Sequence, residues 1–363
     1  MQRRITALIG VAALAAAALS ACGAPPTDAG DGGDAVDFLP CAVSDLTGFD
    51  DKDFNELTYN GVKEASEEIG VEPKAVESAS EDQYASNIGS LIEEDCDLIV
   101  TVGFALANAT RDAAQENPDV NFALIDSVVT DNEFNTIELD NVKPVLFDTA
   151  QAAVLAGYLA AGASKTGVVG TYGGMPFPSV TIFMDGYADG VAYYNDVHGT
   201  DVQVIGWDKA AQNGTFVGSF DDQVAAKTVT QALLDQHADV IMPVAGTLFN
   251  ASVEAIKDRG GDEAIIGVNS DVYNVAPENS RYYLTSVMKN LTTAAKEVTL
   301  AAANGEFDNA PYIGTLANGG VGIAPTHDWE SKLDPALLAE VEQLQADIIS
   351  GDFTVDSPSS PKA

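Results

Sequence analysis

The stretch DLIVTVGFALANATRDAAQENPDVNFALID, residues 97–126, decides the fold. DLIVTVG (97–103) and VNFALID (120–126) are short, almost continuous apolar runs, the pattern of strands buried on both faces. Residues 105–116 between them read as a helix, so the whole is one strand–helix–strand crossover of a parallel sheet. The pattern extends upstream. CAVSDL (41–46) and PKAVES (73–78) read as strands, FNELTYNGVKEASEEIG places Phe54, Leu57, Gly61, Val62 and Ala65 at helical spacing, and a polar helix runs through Ile88, Leu91 and Ile92. After TIELD (136–140) the pattern restarts. VLFDTAQAAVLAGYLAAGAS (145–164) reads as an amphipathic helix, GVVGTYGG (167–174) as a strand and turn, and 180–194 as a helix with an aromatic-rich face. Strands over 201–207, 239–245, 263–269 and 282–288 follow, with helices over 222–236 and 248–259 among them.

A chain of 363 residues can bury two cores. The expected fold class is therefore α/β, two doubly wound parallel-sheet lobes joined by a three-segment hinge. The expected divisions are 40–143 plus 288–305 for lobe 1, 144–287 plus 306–330 for lobe 2, and 331–363 for a C-terminal helix and tail, loose from Ser357 onward. The hinge crossings fall near 141–144, 287–290 and 303–308.

Ligands of open parallel sheets bind outside the carboxyl ends of the strands. With no phosphate-binding glycine motif in either half, the residues just after strands are the ones to inspect. Asp50, Asp51, Phe54 and Asn55 follow the first strand, Gly103 the third and Asp126 the fourth; Gly246, Asn269 and Asp271 follow strands of the second lobe, and Lys289 ends one. Carboxylates, amides, one cation and ring faces suit a neutral ligand rich in hydroxyls and donors. Taken singly, Asp51 to Asn55, Asp126 and Asp271 read equally as helix caps, Phe54 as a core staple and Lys289 as a solvated side chain. Their coincidence at one edge favours a binding site.

The first residues, MQRRITALIGVAALAAAALSAC, combine Arg3 and Arg4, a short apolar run and small residues before Cys22, the organisation of a secretory leader over 1–21. Leu19-Ser20-Ala21-Cys22 resembles the bacterial lipobox, which makes Cys22 the expected lipidated residue and residues 22–39 a flexible linker to the outer face of the cytoplasmic membrane. A net charge of −38 repels phosphate backbones, so nucleic acid is not an expected partner. Cys41 and Cys96 each open a strand, and in a doubly wound sheet of strand order 2-1-3-4-5 those strands are neighbours; the pair is either a disulfide or two buried thiols.

CAVSDLTGFDDKDFNELTYNGVKEA resembles the signature of the basic membrane protein family of bacterial substrate-binding lipoproteins, whose pattern runs roughly Asp-x-Gly-Gly-x-Asp-Asp-Lys-Ser-Phe-Asn. DLIVTVGFALANAT, NFALID, GSFDDQVAAKTVTQALLDQHADVIMPVAG, IIGVNSD and LTSVMKN continue the resemblance in order, over about residues 40–325. It implies a type I periplasmic-binding-protein fold that delivers a ligand, mostly a purine or other nucleoside, to an ABC permease and its ATPase. It also implies roles. Phe54 stacks on the base and Phe183 covers its other face; Asp50, Asp51, Asn55 and Asp126 meet its donor edges; Gly246, Asp271 and Lys289 take the ribose. Three departures stand out: Asp53 replaces the Ser of the motif, Ala245-Gly246-Thr247-Leu248-Phe249 stands for the usual Ala-Gly-Gly-Thr-Gly, and Asn269 stands where Asp is frequent.

The competing class is an exported glycosidase or nucleosidase using paired carboxylates. His198, His237 and His327 fall on helix or loop surfaces with no triad or metal spacing, and no Gly-x-Ser-x-Gly occurs. The expectation is a monomeric binder without catalytic residues, cofactor or metal. Other readings of the same fold are a binder of another small polar ligand, such as a sugar, and a ligand-gated sensor.

Overall fold

A computed structural model describes residues 37–133 and 135–362; the leader, Cys22 and most of the linker lie outside the described residues. The chain alternates strands and helices: β1 (Pro40–Val43), α1 (Phe54–Ile69), β2 (Lys74–Val76), α2 (Tyr84–Glu93), β3 (Leu98–Val102), α3 (Ala107–Glu116), β4 (Asn121–Ile125) and β5 (Val142–Phe147). It continues through α4 (Thr149–Ala163), β6 (Val168–Gly173), α5 (Pro178–His198), β7 (Gln203–Ile205), a hairpin of β8 (Trp207–Asp208) and β9 (Asn213–Gly214), and α6 (Gln223–Asp235). Then come β10 (Val240–Val244), α7 (Phe249–Arg259), β11 (Ala264–Asn269), α8 (Val272–Val275), β12 (Tyr283–Lys289), α9 (Leu291–Ala303), β13 (Tyr312–Gly314), β14 (Val321–Ile323) and α10 (Pro335–Ser350).

Two six-stranded sheets result, in the orders β13-β5-β4-β3-β1-β2 and β14-β12-β11-β10-β6-β7. Every pairing is parallel except β12 with β14. Both sheets have the doubly wound order, so β1, β3, β4 and β5 correspond in place to β6, β10, β11 and β12. Strands buried along their whole length, such as β3 and β10, explain the continuous apolar runs. Cys41 and Cys96 form a disulfide, with Cα atoms 6.1 Å apart, beside the paired starts of β1 and β3.

The structure corrects several boundaries. Val145, Leu146 and Phe147 belong to β5, with Val145 paired to Ile125, and the helix begins only after Asp148. Nor is α4 amphipathic: twelve of its residues are buried because α5 and α10 pack on it as well as the second sheet. Glycines allow that closeness. A Cβ at Gly157 would lie 2.1 Å from the Tyr187 carbonyl oxygen, and one at Gly190 would lie 2.0 Å from that of Val154. The chain passes between sheets after Phe147, after Lys289 and between Gly314 and Val321; the expected first and third crossings at 141–144 and 303–308 come too early. Three-residue strands such as β13 and β14 carry too little period to be read from sequence.

Residues 357–360 are not loose. Ser357 Oγ donates to the buried Asp185 carboxylate at 2.6 Å, Ser360 Oγ donates to Asp148 Oδ1 at 2.9 Å, and the Thr181 and Ser359 hydroxyls pair at 2.9 Å.

Candidate functional site

The carboxyl ends of both sheets face a cavity of ≈ 270 Å³ between the lobes. Its walls take in Asp51, Phe54, Gly103, Asp126, Phe183, Gly246 and Lys289 of the residues singled out in the sequence. Asp50, Asn55 and Asp271 are not among its lining residues.

The turn before α1 is built by an internal network. Asn55 is fully buried; its amide donates to Asp45 (2.9 Å), Thr47 (2.8 Å) and Asp51 (3.0 Å), and its Oδ1 accepts from the Asp45 backbone N–H at 3.1 Å. Asn55 is thus a brace whose amide N–H groups are committed within the turn. Asp51 caps the helix start, Oδ1 accepting from the Asp53 and Glu56 backbone and Oδ2 from that of Asn55. Asp50 is exposed. Phe54, the first residue of α1, lies against Gly103, whose φ of +101° suits glycine and at which a Cβ would come to 3.4 Å from the Phe54 ring.

Asp126, at φ +61°, follows β4, and Asn269, at φ +64°, ends β11; Asp and Asn tolerate this left-handed backbone better than other side chains. Lys289 ends β12 and forms an ion pair with Asp126, the side chains 2% and 8% exposed. Burial raises the Asp126 carboxyl and the ammonium opposes that rise. The same ammonium lies 4.9 Å from the centre of the Phe183 ring and 5.6 Å from that of Phe54, so both rings face one inner end of the cavity.

Asp271 stands differently. It caps α8 through the Tyr273 N–H (3.2 Å) and meets Asn274 Nδ2 and His327 Nε2, both at 2.8 Å. The capping alternative weighed for this residue is the one the geometry shows.

Several cavity residues escaped the sequence reading. Asp45 ends the first apolar stretch, where the strand-end rule reaches it; burial raises its carboxyl, against the hydrogen bonds from Thr47 and Asn55. Tyr84 is 4% exposed and its hydroxyl has no partner among the described residues, a feature sequence does not announce. At the mouth, Phe104 of lobe 1 stacks on Phe177 of lobe 2 at 4.6 Å, and Phe220 lies 6.0 Å beyond Phe177. Asp53, singled out in the sequence only as a departure, reaches across to lobe 2: Asn269 Nδ2 donates to its Oδ2 at 2.9 Å and Ser270 Oγ to its Oδ1 at 3.2 Å.

A family model for PnrA-like ABC transporter substrate-binding proteins (Bmp) matches residues 39–356. The chain belongs to the Bmp family. Among its relatives in that family, the ABC transporter nucleoside-binding protein BmpA of Lactococcus lactis subsp. cremoris is 27% identical over 374 aligned positions, covering 98% of this chain and 100% of that protein. Basic membrane protein A of Borreliella burgdorferi is 30% identical over 311 positions, 85% of each chain. The solved structure of an ABC transporter solute-binding protein from Aeropyrum pernix aligns at a TM-score of 0.77 and 26% identity, covering 88% of this chain and 94% of that one. Bmp-family membership makes the protein a substrate-binding protein of an ABC transporter that works outside the cytoplasm, not an enzyme. No helix among the described residues is long and apolar enough to cross a membrane.

Proposed function

We propose that the protein is a lipoprotein that captures a nucleoside, purine by preference, between its lobes and hands it to an ABC importer. The observation that carries this is the inner end of the cavity, where Phe54 and Phe183 face the same buried Lys289–Asp126 pair. Two ring faces suit a flat base, with about 1–3 kcal/mol per stack in single-stranded nucleic-acid binders. The carboxylates of Asp45 and Asp126 are acceptors for its N–H groups, while Asp51 is spent on the turn before α1. Gly246, at φ +55°, leaves room for a sugar against the backbone. The printed name of the Lactococcus relative supports the nucleoside class, and the lipobox-like Leu19-Ser20-Ala21-Cys22 supports anchoring through Cys22. Capture proceeds by hinge closure: the ligand docks on one lobe and the other swings over it.

A thermal-shift screen over nucleosides, bases, sugars and amino acids, followed by calorimetry, tests the ligand class. Nucleosides raise the melting temperature by mass action and emerge unaltered; a response confined to sugars or amino acids refutes the assignment. Loss of nucleoside uptake on deleting the gene tests delivery, and release of a Cys22→Ala variant from the membrane tests the anchor.

A further inference from the structure

Asp53 holds the N-cap position of α1 yet makes no cap hydrogen bond with its side chain. An aspartate there ordinarily accepts from the first turn of its own helix. Here Asp51 does that work, which frees the Asp53 carboxylate to line the cavity and cross to the strand ends of lobe 2. It is 5% exposed. Its Oδ2 lies 3.5 Å from where a Cβ on Gly246 would stand, so no side chain of that residue intervenes between the carboxylate and the cavity. A carboxylate has roughly four lone-pair sites, and the bonds from Asn269 and Ser270 use two. Lys289, the neighbouring donor, is engaged by Asp126. Asp271, the sequence candidate for reading a diol, is occupied by α8 and His327. The two departures at 53 and 269 are therefore one arrangement: the carboxylate stands on lobe 1 and the amide on lobe 2, bonded to each other.

We infer that Asp53, rather than Asp271, is the specificity-determining residue for the ligand's sugar hydroxyls, which it reads from lobe 1 while bonded to Asn269 and Ser270 of lobe 2. Hydroxyl recognition and lobe closure are then a single event, because the acceptor is fully placed only when the lobes meet. The inference rests on the nucleoside reading above. A site built to bond a hydroxyl rejects the analogue lacking it, since a buried acceptor is left unmet.

The test is calorimetry with the tightest ribonucleoside of the screen and its 2′-deoxy and 3′-deoxy analogues, on the wild type, Asp53→Ser, Asp271→Ala and the double variant Asp53→Ser/Asn269→Asp. The wild type should prefer the ribonucleoside over at least one analogue by about 100-fold or more. Asp53→Ser should bring that ratio within about threefold, Asp271→Ala should keep it, and the double variant, which returns the carboxylate to lobe 2, should restore most of it. An isosteric Asp53→Asn variant repeats the measurement should the serine variant fold poorly. A wild-type ratio in both position-53 variants, or a ratio lost in Asp271→Ala and kept in Asp53→Ser, overturns the inference while leaving nucleoside binding intact. Absence of binding to every nucleoside by the wild type removes the underlying reading instead.

Discussion

The turn after β1 in lobe 1 carries Asp45, Asp50, Asp51 and Asp53; the corresponding turn after β6 in lobe 2 reads Gly174-Met175-Pro176-Phe177. The contrast continues along the sheet edges, with Asp126 after β4 against Asn269 at the end of β11, both with left-handed backbones. Lobe 1 presents Asp45, Asp53 and Asp126 beside Phe54 and Phe104, and lobe 2 presents mainly Phe177, Phe183 and Phe220 with the Asn269 amide. Topology alone puts the same positions at both lips of the cleft, and side-chain identity puts most of the carboxylates on lobe 1 and most of the rings on lobe 2. Lys289 is the exception. Among the described residues lining the cavity it is the one cation, and it leaves lobe 2 to neutralise Asp126 of lobe 1.

That exception is the place to break the contrast most severely. Lys289→Met strands the Asp126 carboxylate in a buried site, and removing one partner of a buried ion pair costs about 3–5 kcal/mol. Urea unfolding should show a loss of that order at neutral pH, and Lys289→Met/Asp126→Asn should recover much of it; an unchanged midpoint in the single variant would mean the pair contributes nothing. Next in size is the covering role. Phe54→Ala and Phe183→Ala should each weaken nucleoside binding about 10- to 100-fold, the equivalent of one stack, and calorimetry showing wild-type affinity in either would remove that ring from the site.

The acceptor lobe also has a pH signature. Burial pushes the Asp53 carboxyl from 3.8 up to about 7; Asp51 on the same turn adds to the rise, while the hydrogen bonds from Asn269 and Ser270 and the Lys289 ammonium, itself paired with Asp126, oppose it. The folded state therefore binds a proton at this residue that the unfolded chain releases near pH 4. Its contribution to stability is whole at low pH, declines as pH rises, and has no further slope above about 7. Compared with wild type, Asp53→Asn should gain melting temperature between pH 5 and pH 8, with the difference flattening at the upper end; a difference independent of pH would show that Asp53 does not titrate there. The smallest effect belongs to lobe 2. Asp271→Ala should cost about 1 kcal/mol through a lost cap and leave affinity within about twofold, so a large affinity loss would return this residue to the site.

Much of this division is legible in the sequence. Alternating apolar runs and helices carry the two doubly wound sheets, and the strand-end rule reaches Phe54, Gly103, Asp126, Gly246 and Lys289, which do share a cavity. What failed has identifiable causes. Val145 to Phe147 runs without interruption into an alanine-rich helix, so β5 was hidden until pairing with β4 exposed it. Asn55 and Asp271 have the residue types of a binding site, and only their partners show that one braces a turn and the other caps a helix. Asp53 and Asp51 sit two residues apart with the same side chain; which of them caps the helix and which crosses to lobe 2 depends on backbone direction, which composition does not encode.

The last residues alter how the protein should be handled at the bench. Ser357 supplies Asp185 with a hydrogen bond alongside those of Trp207 Nε1 and Gln212 Nε2, and Ser360 fastens to Asp148 where the chain first leaves lobe 1. A truncation chosen to trim a supposed fringe at residue 356 would deprive an interior carboxylate of one of three donors and unpick a stitch beside the hinge. A reporter attached near Ser360 would therefore sit beside Asp148, where the chain first leaves lobe 1.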